Sequence, residues 1–443
     1  MSHHATAPVT AGGWTRTTVE GLSERLGEPA WARERRLAAW DAFERLPHPS
    51  VTYPEAWRRT DIGALDLGVF ALPERRAGPS HPQYFGPIAR DGGQRAGVIT
   101  HLDGAAGVAE LNEAALRQGV IFTDLAAAMR EHPDLVRDHL LTEVARPDEH
   151  RFRALHAALW SGGTFLYVPK GVEVALPLVT QTWLGTDGGA IFPHTLVVAD
   201  EGSKVTLVEL WASVPSGPRT LASGVVELIL RAGAQVRYAV VQEWGPPMWE
   251  VGSLIRAHLD RDATLASLVV SLGAGLVKVD VESQLRGPGA TSEMLGLYFG
   301  TGAQHIDFHT LQEHRAPHTT SDLLYKGAVK DAARAVFSGL IRVDPGAQKT
   351  NAFQANRNLI LSDRARSDSI PKLEIMANDL RCTHGSATSR LNEEHIFYLM
   401  SRGISRKKAT FMIVEGFFAD VFDRIPMDRV RAYLQARIAE KMI

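Results

Sequence analysis

Residues 379–404, DLRCTHGSATSRLNEEHIFYLMSRGI, contain Cys382, the single cysteine of a 443-residue chain, and His384 two positions on. One cysteine makes no internal disulfide, and two donors are too few for a stable metal site. Metal chemistry here would need further donors from elsewhere in the chain or from a second chain. A thiolate and an imidazole are common ligands of iron and zinc. The segment around them reads as the end of a strand, and side chains two apart in an extended chain point to the same face, which suits shared ligation. The competing reading is a buried thiol that acts as a small hydrophobe.

Other chemistry-bearing stretches are less specific. In HIDFHTLQEHRAPH, His305, Asp307 and His309 would share one strand face, His314 reads as part of a polar turn, and His318 follows a proline. The spacing lacks the compactness of a zinc motif, so hydrogen-bonded histidines along a strand face are expected in preference to a metal site. GAQKTN at 346–351 resembles a phosphate loop in part, but it lacks both the upstream glycine and the Gly-Lys-Ser/Thr order. There is no G-x-S-x-G elbow, no H-E-x-x-H and no dinucleotide fingerprint, which argues against an NTPase, a serine hydrolase or a zinc protease. Asp420 and Asp423 read as solvated helix charges.

The charge is nearly balanced, with 48 Lys and Arg against 50 Asp and Glu, and so lacks the basic footprint that nucleic acid or an anionic membrane would need. The N-terminus has neither the basic start nor the apolar run of a signal peptide, and no stretch of 18 uninterrupted apolar residues occurs. With a single cysteine, this leads to the expectation of a cytoplasmic protein.

The elements that must position these residues fall into three zones: 1–150, mostly helical; 151–390, strand-rich; and 391–443, helical. Within 14–60, Leu26, Trp31, Leu37, Trp40 and Phe43 recur at helical spacing. Residues 61–110 read as short strands, and 111–143 returns to helix with Asp124 as an N-cap. In the middle zone, short strands such as KVTLVELWAS and QVRYAVVQEW alternate with small-residue turns. Gly202-Ser203, Gly233-Ala234, Asp262-Ala263, Gly289-Ala290, Gly302-Ala303, Asp331-Ala332 and Gly346-Ala347 recur at roughly 30 residues or half that, a coil period. This favours a parallel β-helix over a β-sandwich, with helical flanks to cap its ends. In the last zone Asn392 is the expected N-cap, Ile396, Leu399 and Met400 mark an apolar face, and Gly403 marks a stop. Phe411, Val414, Phe417, Phe418, Val421 and Phe422 then form an apolar surface that ends at Pro426. That surface is either core against the solenoid or a docking face for a partner, and the two are compatible.

Several stretches together resemble the SufB/SufD family of iron-sulfur cluster assembly proteins. They are GVIFTDLAAAMREHPDLV (119–136), LWSGGTFLYVPKGVEVALPL (159–178), the block from DLLYKGAVKDAARAVFSG to SIPKLEI (322–375), and RCTHGSATSRLNEEHIFYLMSRGI (381–404). The resemblance implies a mainly β fold: a right-handed parallel β-helix flanked by N-terminal and C-terminal helical regions. It also implies a non-catalytic scaffold in a SufB-SufC-SufD complex. A transient iron-sulfur cluster would form where the two β-helix subunits meet, a SufC-like ABC ATPase would dock on the C-terminal helices, and flavin would bind at the level of the complex. This chain itself would bind no nucleotide.

RCTHGSAT resembles the SufD form, in which Cys and His flank one residue before Gly; Cys382 and His384 fall on those positions, and the histidine is the one the resemblance links to cluster formation. FYLMSRG carries Leu399 where SufB has its scaffold cysteine, although WSGGTFLYVPKG leans toward SufB. The resemblance thus implies that His384 gives a neutral imidazole to iron or orders the cluster site, and that Cys382 is a second ligand or packs beneath it. Other readings are a SufB-like scaffold, a homodimeric or purely structural β-helix without a metal role, and a β-helix polysaccharide enzyme; the last would need a carboxylate pair or a basic cleft on the solenoid face, and usually a secretion signal.

Overall fold

The computed structural model describes residues 13–73, 95–213, 219–425 and 427–442. Pro426 and residues 74–94 of the expected short-strand segment lie outside the described residues. Two helices, Arg16–Leu26 and Ala30–Arg45, stand where the apolar spacing predicts them, with Leu26, Trp40 and Phe43 buried and Trp31 and Leu37 packed alongside. Of the segment 61–110, the described part holds a 3-10 turn at Leu67–Val69 and the strands Gly97–Leu102 and Ala105–Leu111. Asp124 caps the helix Leu125–Glu131 by accepting from the Ala127 N–H at 3.2 Å.

The strands form two sheets, one of ten and one of eleven, and from Val225–Leu230 onward successive strands alternate between them. Within the first, Lys204 pairs with Gln235, Gln235 with Thr264, Thr264 with Thr291, Thr291 with Thr320, Thr320 with Asn351 and Asn351 with Arg381, all in parallel. Each step is one coil, so the fold is a parallel β-solenoid; sandwich sheets would pair antiparallel. Strand Gly97–Leu102 already pairs in parallel with Leu178–Leu184, so the solenoid begins inside the zone that reads as mostly helical.

One corner explains the turn period. Gly171, Gly202, Gly233, Asp262, Gly289, His318 and Lys349 are all left-handed, and the N–H of each of the first six donates to the carbonyl just before its successor, as Gly202 does to Ala232 at 2.9 Å and His318 to Gln348 at 2.9 Å. The half-period turns belong to a second corner, where the Gly302 N–H donates to the Asp331 carboxylate at 2.9 Å. Lys349, and not Gly346, continues the first corner. A histidine and a lysine there hid two steps of the pattern, since glycine is the usual residue at positive φ.

The helical flanks do not supply the end caps expected of a solenoid; they lie on the two flat faces. The N-terminal helices cover Leu196, Val198, Val225 and Leu254 of the eleven-stranded sheet. Helices Arg406–Phe422 and Asp428–Lys441 cover Val208, Leu210, Ala239 and Val241 of the ten-stranded one. The reason is in the strands themselves: they are apolar on both faces, so each sheet needs cover outside as well as inside. The starting end is closed by the antiparallel strands Ala105–Leu111 and Ile121–Asp124. At the far end, Arg366–Ile375 and Arg381–Arg390 are the last strands of their sheets.

Candidate functional site at the open end of the solenoid

Cys382 and His384 lie on that terminal strand, opposite Ala352 and Gln354 of the preceding coil. Ala352 and Gln354 are buried, so the pair shares the inward face, as two-residue spacing predicts. Cys382 is half-buried and packs against a small cluster of Ile341, Val343, Ala347 and Ala352. Burial pushes its thiol up, against a weaker opposing hydrogen bond with the Ala352 backbone. In the isolated chain Cys382 is therefore a protonated thiol. His384, one step further from the corner, is exposed. Among the described residues no group of three or more His, Cys, Asp or Glu is gathered to hold a metal ion.

The interior above this pair turns polar, which the strand pattern did not announce. Tyr298, Asn356 and Asn358 form a buried network: the Tyr298 hydroxyl donates to Asn358, and the Asn358 amide donates to the Asn356 carbonyl at 2.7 Å. His314, expected in a polar turn, ends the strand His305–His314 and points inward. Its ring contacts the Thr319 hydroxyl at 2.7 Å and the Ser321 hydroxyl at 2.8 Å, and burial pushes its pKa down to about 4.

His305, Asp307 and His309 do share the outward face of that strand. Thr60 bonds both His305, at 2.8 Å, and Asp307, while His309 and Lys278 lie 3.2 and 3.3 Å from the Asp307 carboxylate. Despite the burial of Asp307, the facing lysine and histidine hold its carboxyl well below the usual range. This is an internal charge cluster that seats the Thr60 loop.

The expected docking face is divided. Val414, Phe418, Val421 and Phe422 are buried on the solenoid as core, which removes them as a surface for a partner, and only Phe411 and Phe417 stay half-exposed. Asp420, expected to be a solvated charge, pairs with buried Lys326 at 2.6 Å and with Arg357 at 3.3 Å. Outward apolar groups are Met412 on the helix Arg406–Phe422 and Phe397, Tyr398 and Met400 on the helix Glu393–Ser401, which Asn392 caps as expected. Their exposure could not be read from periodicity, because helical spacing does not say which face meets the sheet.

Comparison with known proteins agrees with this architecture. The family described as "SUF system FeS cluster assembly, SufBD core domain" matches residues 182–417, and "SufBD protein N-terminal region" matches 99–179. These matches define a β-solenoid component of the SUF iron-sulfur assembly system. The iron-sulfur cluster assembly protein SufD of Bacillus subtilis (strain 168) is 30% identical over 96% of this chain and 97% of its own length. SufB of the same organism is 29% identical over 94% of this chain and 90% of its own, and a SufBD family protein of Staphylococcus epidermidis shows the same figures. The chain belongs to the SufB/SufD family. The two sibling identities, 30% and 29%, do not separate SufD from SufB. Among the described residues no helix is long and apolar enough to cross a membrane.

Proposed function

We propose that this chain is the SufD-like, non-catalytic scaffold subunit of a cytoplasmic SUF complex. Its terminal solenoid coil meets the β-solenoid of a SufB-like subunit, and the nascent iron-sulfur cluster, the cargo of the system, is built between them. The observation that carries this reading is the placement of Cys382 and His384 together on the inward face of an uncovered last strand. His384 supplies a neutral imidazole to iron, and Cys382 is the second donor or packs beneath it. The SufD-like assignment also draws support from Leu399, in place of a scaffold cysteine, and from the lack of any other thiol to relay sulfur.

A SufC-like ABC ATPase docks on the C-terminal helices, through the half-exposed Phe411 and Phe417 together with the outward Phe397 and Tyr398. In the absence of a SufB-like subunit, a second copy of this chain pairs on the same open strands. The test is co-expression with SufB-like and SufC-like partners, anaerobic reconstitution with iron and sulfide, and comparison of cluster absorbance for wild type and His384→Ala. Loss of the cluster with the complex intact is the expected result. An unchanged spectrum and unchanged cluster delivery would reduce the subunit to an architectural partner.

A further inference from the structure

Directly inside the Cys382/His384 coil lies a side chain with no partner. Gln354 pairs with His384 across the ladder and with Leu323 on the other side, so one inward column runs Leu323, Gln354, His384. Gln354 is 0% exposed, and both its amide oxygen and its amide nitrogen lack a hydrogen bond. An unmet buried polar group costs about 1–3 kcal/mol, so an amide kept here without partners needs a reason.

The opposite sheet is shaped around it. A Cβ on Gly339 would fall 2.5 Å from the Gln354 amide atoms, and Gly339 is not among the left-handed glycines. Its lack of a side chain answers to space and not to backbone conformation. The lumen is thus cut away on one sheet to admit an amide from the other, at the last layer before the open coil. In that coil Ser367 and Ser369 face Ala335 and Phe337 across the ladder, and their hydroxyls are also shielded without partners.

We infer that Gln354 is a positioning residue for His384: its amide oxygen accepts the ring N–H of His384 and so selects which ring nitrogen is left to face iron. Neighbouring strands lie about 4.8 Å apart, so the Gln354 amide occupies the layer next to the imidazole, and a terminal amide torsion has a broad preference rather than one fixed setting. A metal-bound histidine generally gives its other N–H to such an acceptor, which fixes tautomer and ring orientation. Cys382 has no counterpart of this kind, because Ala352 stands above it.

This inference rests on the cluster-site reading of His384, and its test separates the two. The full chain is labelled in its histidine rings with nitrogen-15, and the His384 signals are assigned by their loss in His384→Ala. Gln354→Leu keeps the bulk and removes the amide, and Gln354→Glu restores an acceptor oxygen. Wild type and Gln354→Glu are expected to favour one tautomer, with the ratio changed about fivefold or more in Gln354→Leu, the effect of one neutral hydrogen bond. The same ratio in wild type and Gln354→Leu, in variants whose unfolding midpoints show them folded, overturns the inference. If the ratio shifts while His384→Ala still builds cluster in the reconstituted complex, the Gln354–His384 hydrogen bond stands and the cluster-site reading falls.

Discussion

Lys326 of the solenoid and Asp420 of the C-terminal helix are joined by a 2.6 Å ion pair, and the same ammonium donates to the Phe417 carbonyl at 2.7 Å. The lysine side chain is 3% exposed and the aspartate side chain 54%, so the two partners are not equivalent. Asp420→Ala leaves a buried ammonium with less compensation, whereas Lys326→Met leaves a carboxylate that water solvates and Arg357 still neighbours. Asp420→Ala is expected to cost about 2–4 kcal/mol and Lys326→Met less than about half of that. Urea unfolding of both variants checks this, and equal losses would show that the burial asymmetry has no energetic weight.

Glu209 sits inside the solenoid, accepting from Thr195 at 3.1 Å, Trp211 at 3.1 Å and Tyr238 at 3.2 Å. Burial outweighs these bonds and raises its pKa from 4.5 to about 7. A raised carboxyl contributes stability that is full below about pH 4.5 and is lost as pH rises through about 7. Glu209→Gln removes that titration. Between pH 5 and 8 the wild type is expected to lose about 2–3 kcal/mol more than the variant, measured by urea unfolding at the two pH values. Parallel pH profiles would mean that the carboxyl is not protonated in the folded protein.

A second buried acid, Glu227, closes a chain of hydrogen bonds. His156 contacts the Ser223 carbonyl at 2.7 Å and His194 at 2.9 Å, and His194 contacts Glu227 at 3.0 Å. The carbonyl only accepts, so His156 and then His194 each carry a proton on Nδ1, which leaves one proton for the His194–Glu227 contact. Burial raises Glu227 to about 8 and lowers His194 to about 3, which puts that proton on the carboxyl. The same carboxyl accepts from Leu141 at 2.7 Å and from Ala145 at 3.1 Å. Glu227→Ala is expected to cost about 3–5 kcal/mol. Glu227→Gln still donates to His194 and should cost about 1–2 kcal/mol, through the acceptor it no longer offers the Leu141 N–H. Calorimetry on the pair decides it, and equal costs would refute the neutral-carboxyl assignment.

Cys382 tests the state of the open end before a partner arrives. Its pKa is raised by burial, and the thiolate is the reacting species, so alkylation by iodoacetamide at pH 7.5 is expected to run severalfold slower than for a free thiol such as glutathione. Mass spectrometry over time gives the rate directly, since the chain has one cysteine. A rate above that of the free thiol would point to a nearby charge that stabilises the thiolate.

Much of this molecule follows from local sequence alone. The coil period appears because Gly202, Gly233, Asp262 and Gly289 hold left-handed corners, a demand that restricts residue type at each position. The caps at Asp124 and Asn392 are legible for the same reason, a short polar side chain meeting orphan N–H groups within three residues. The spacing of Cys382 and His384 also suffices to put them on one face of a strand.

What tertiary structure decided lies across coils and between layers. Whether Val414 and Phe418 meet the solenoid or a partner depends on which helix face lands on the sheet, and Asp420 becomes an ion-pair partner only because Lys326 is brought beneath it from 94 residues away. The column Leu323, Gln354, His384 likewise joins residues about one coil apart. No local pattern marks such neighbours, because stacking distance in a solenoid is set by the ladder register and not by separation along the chain.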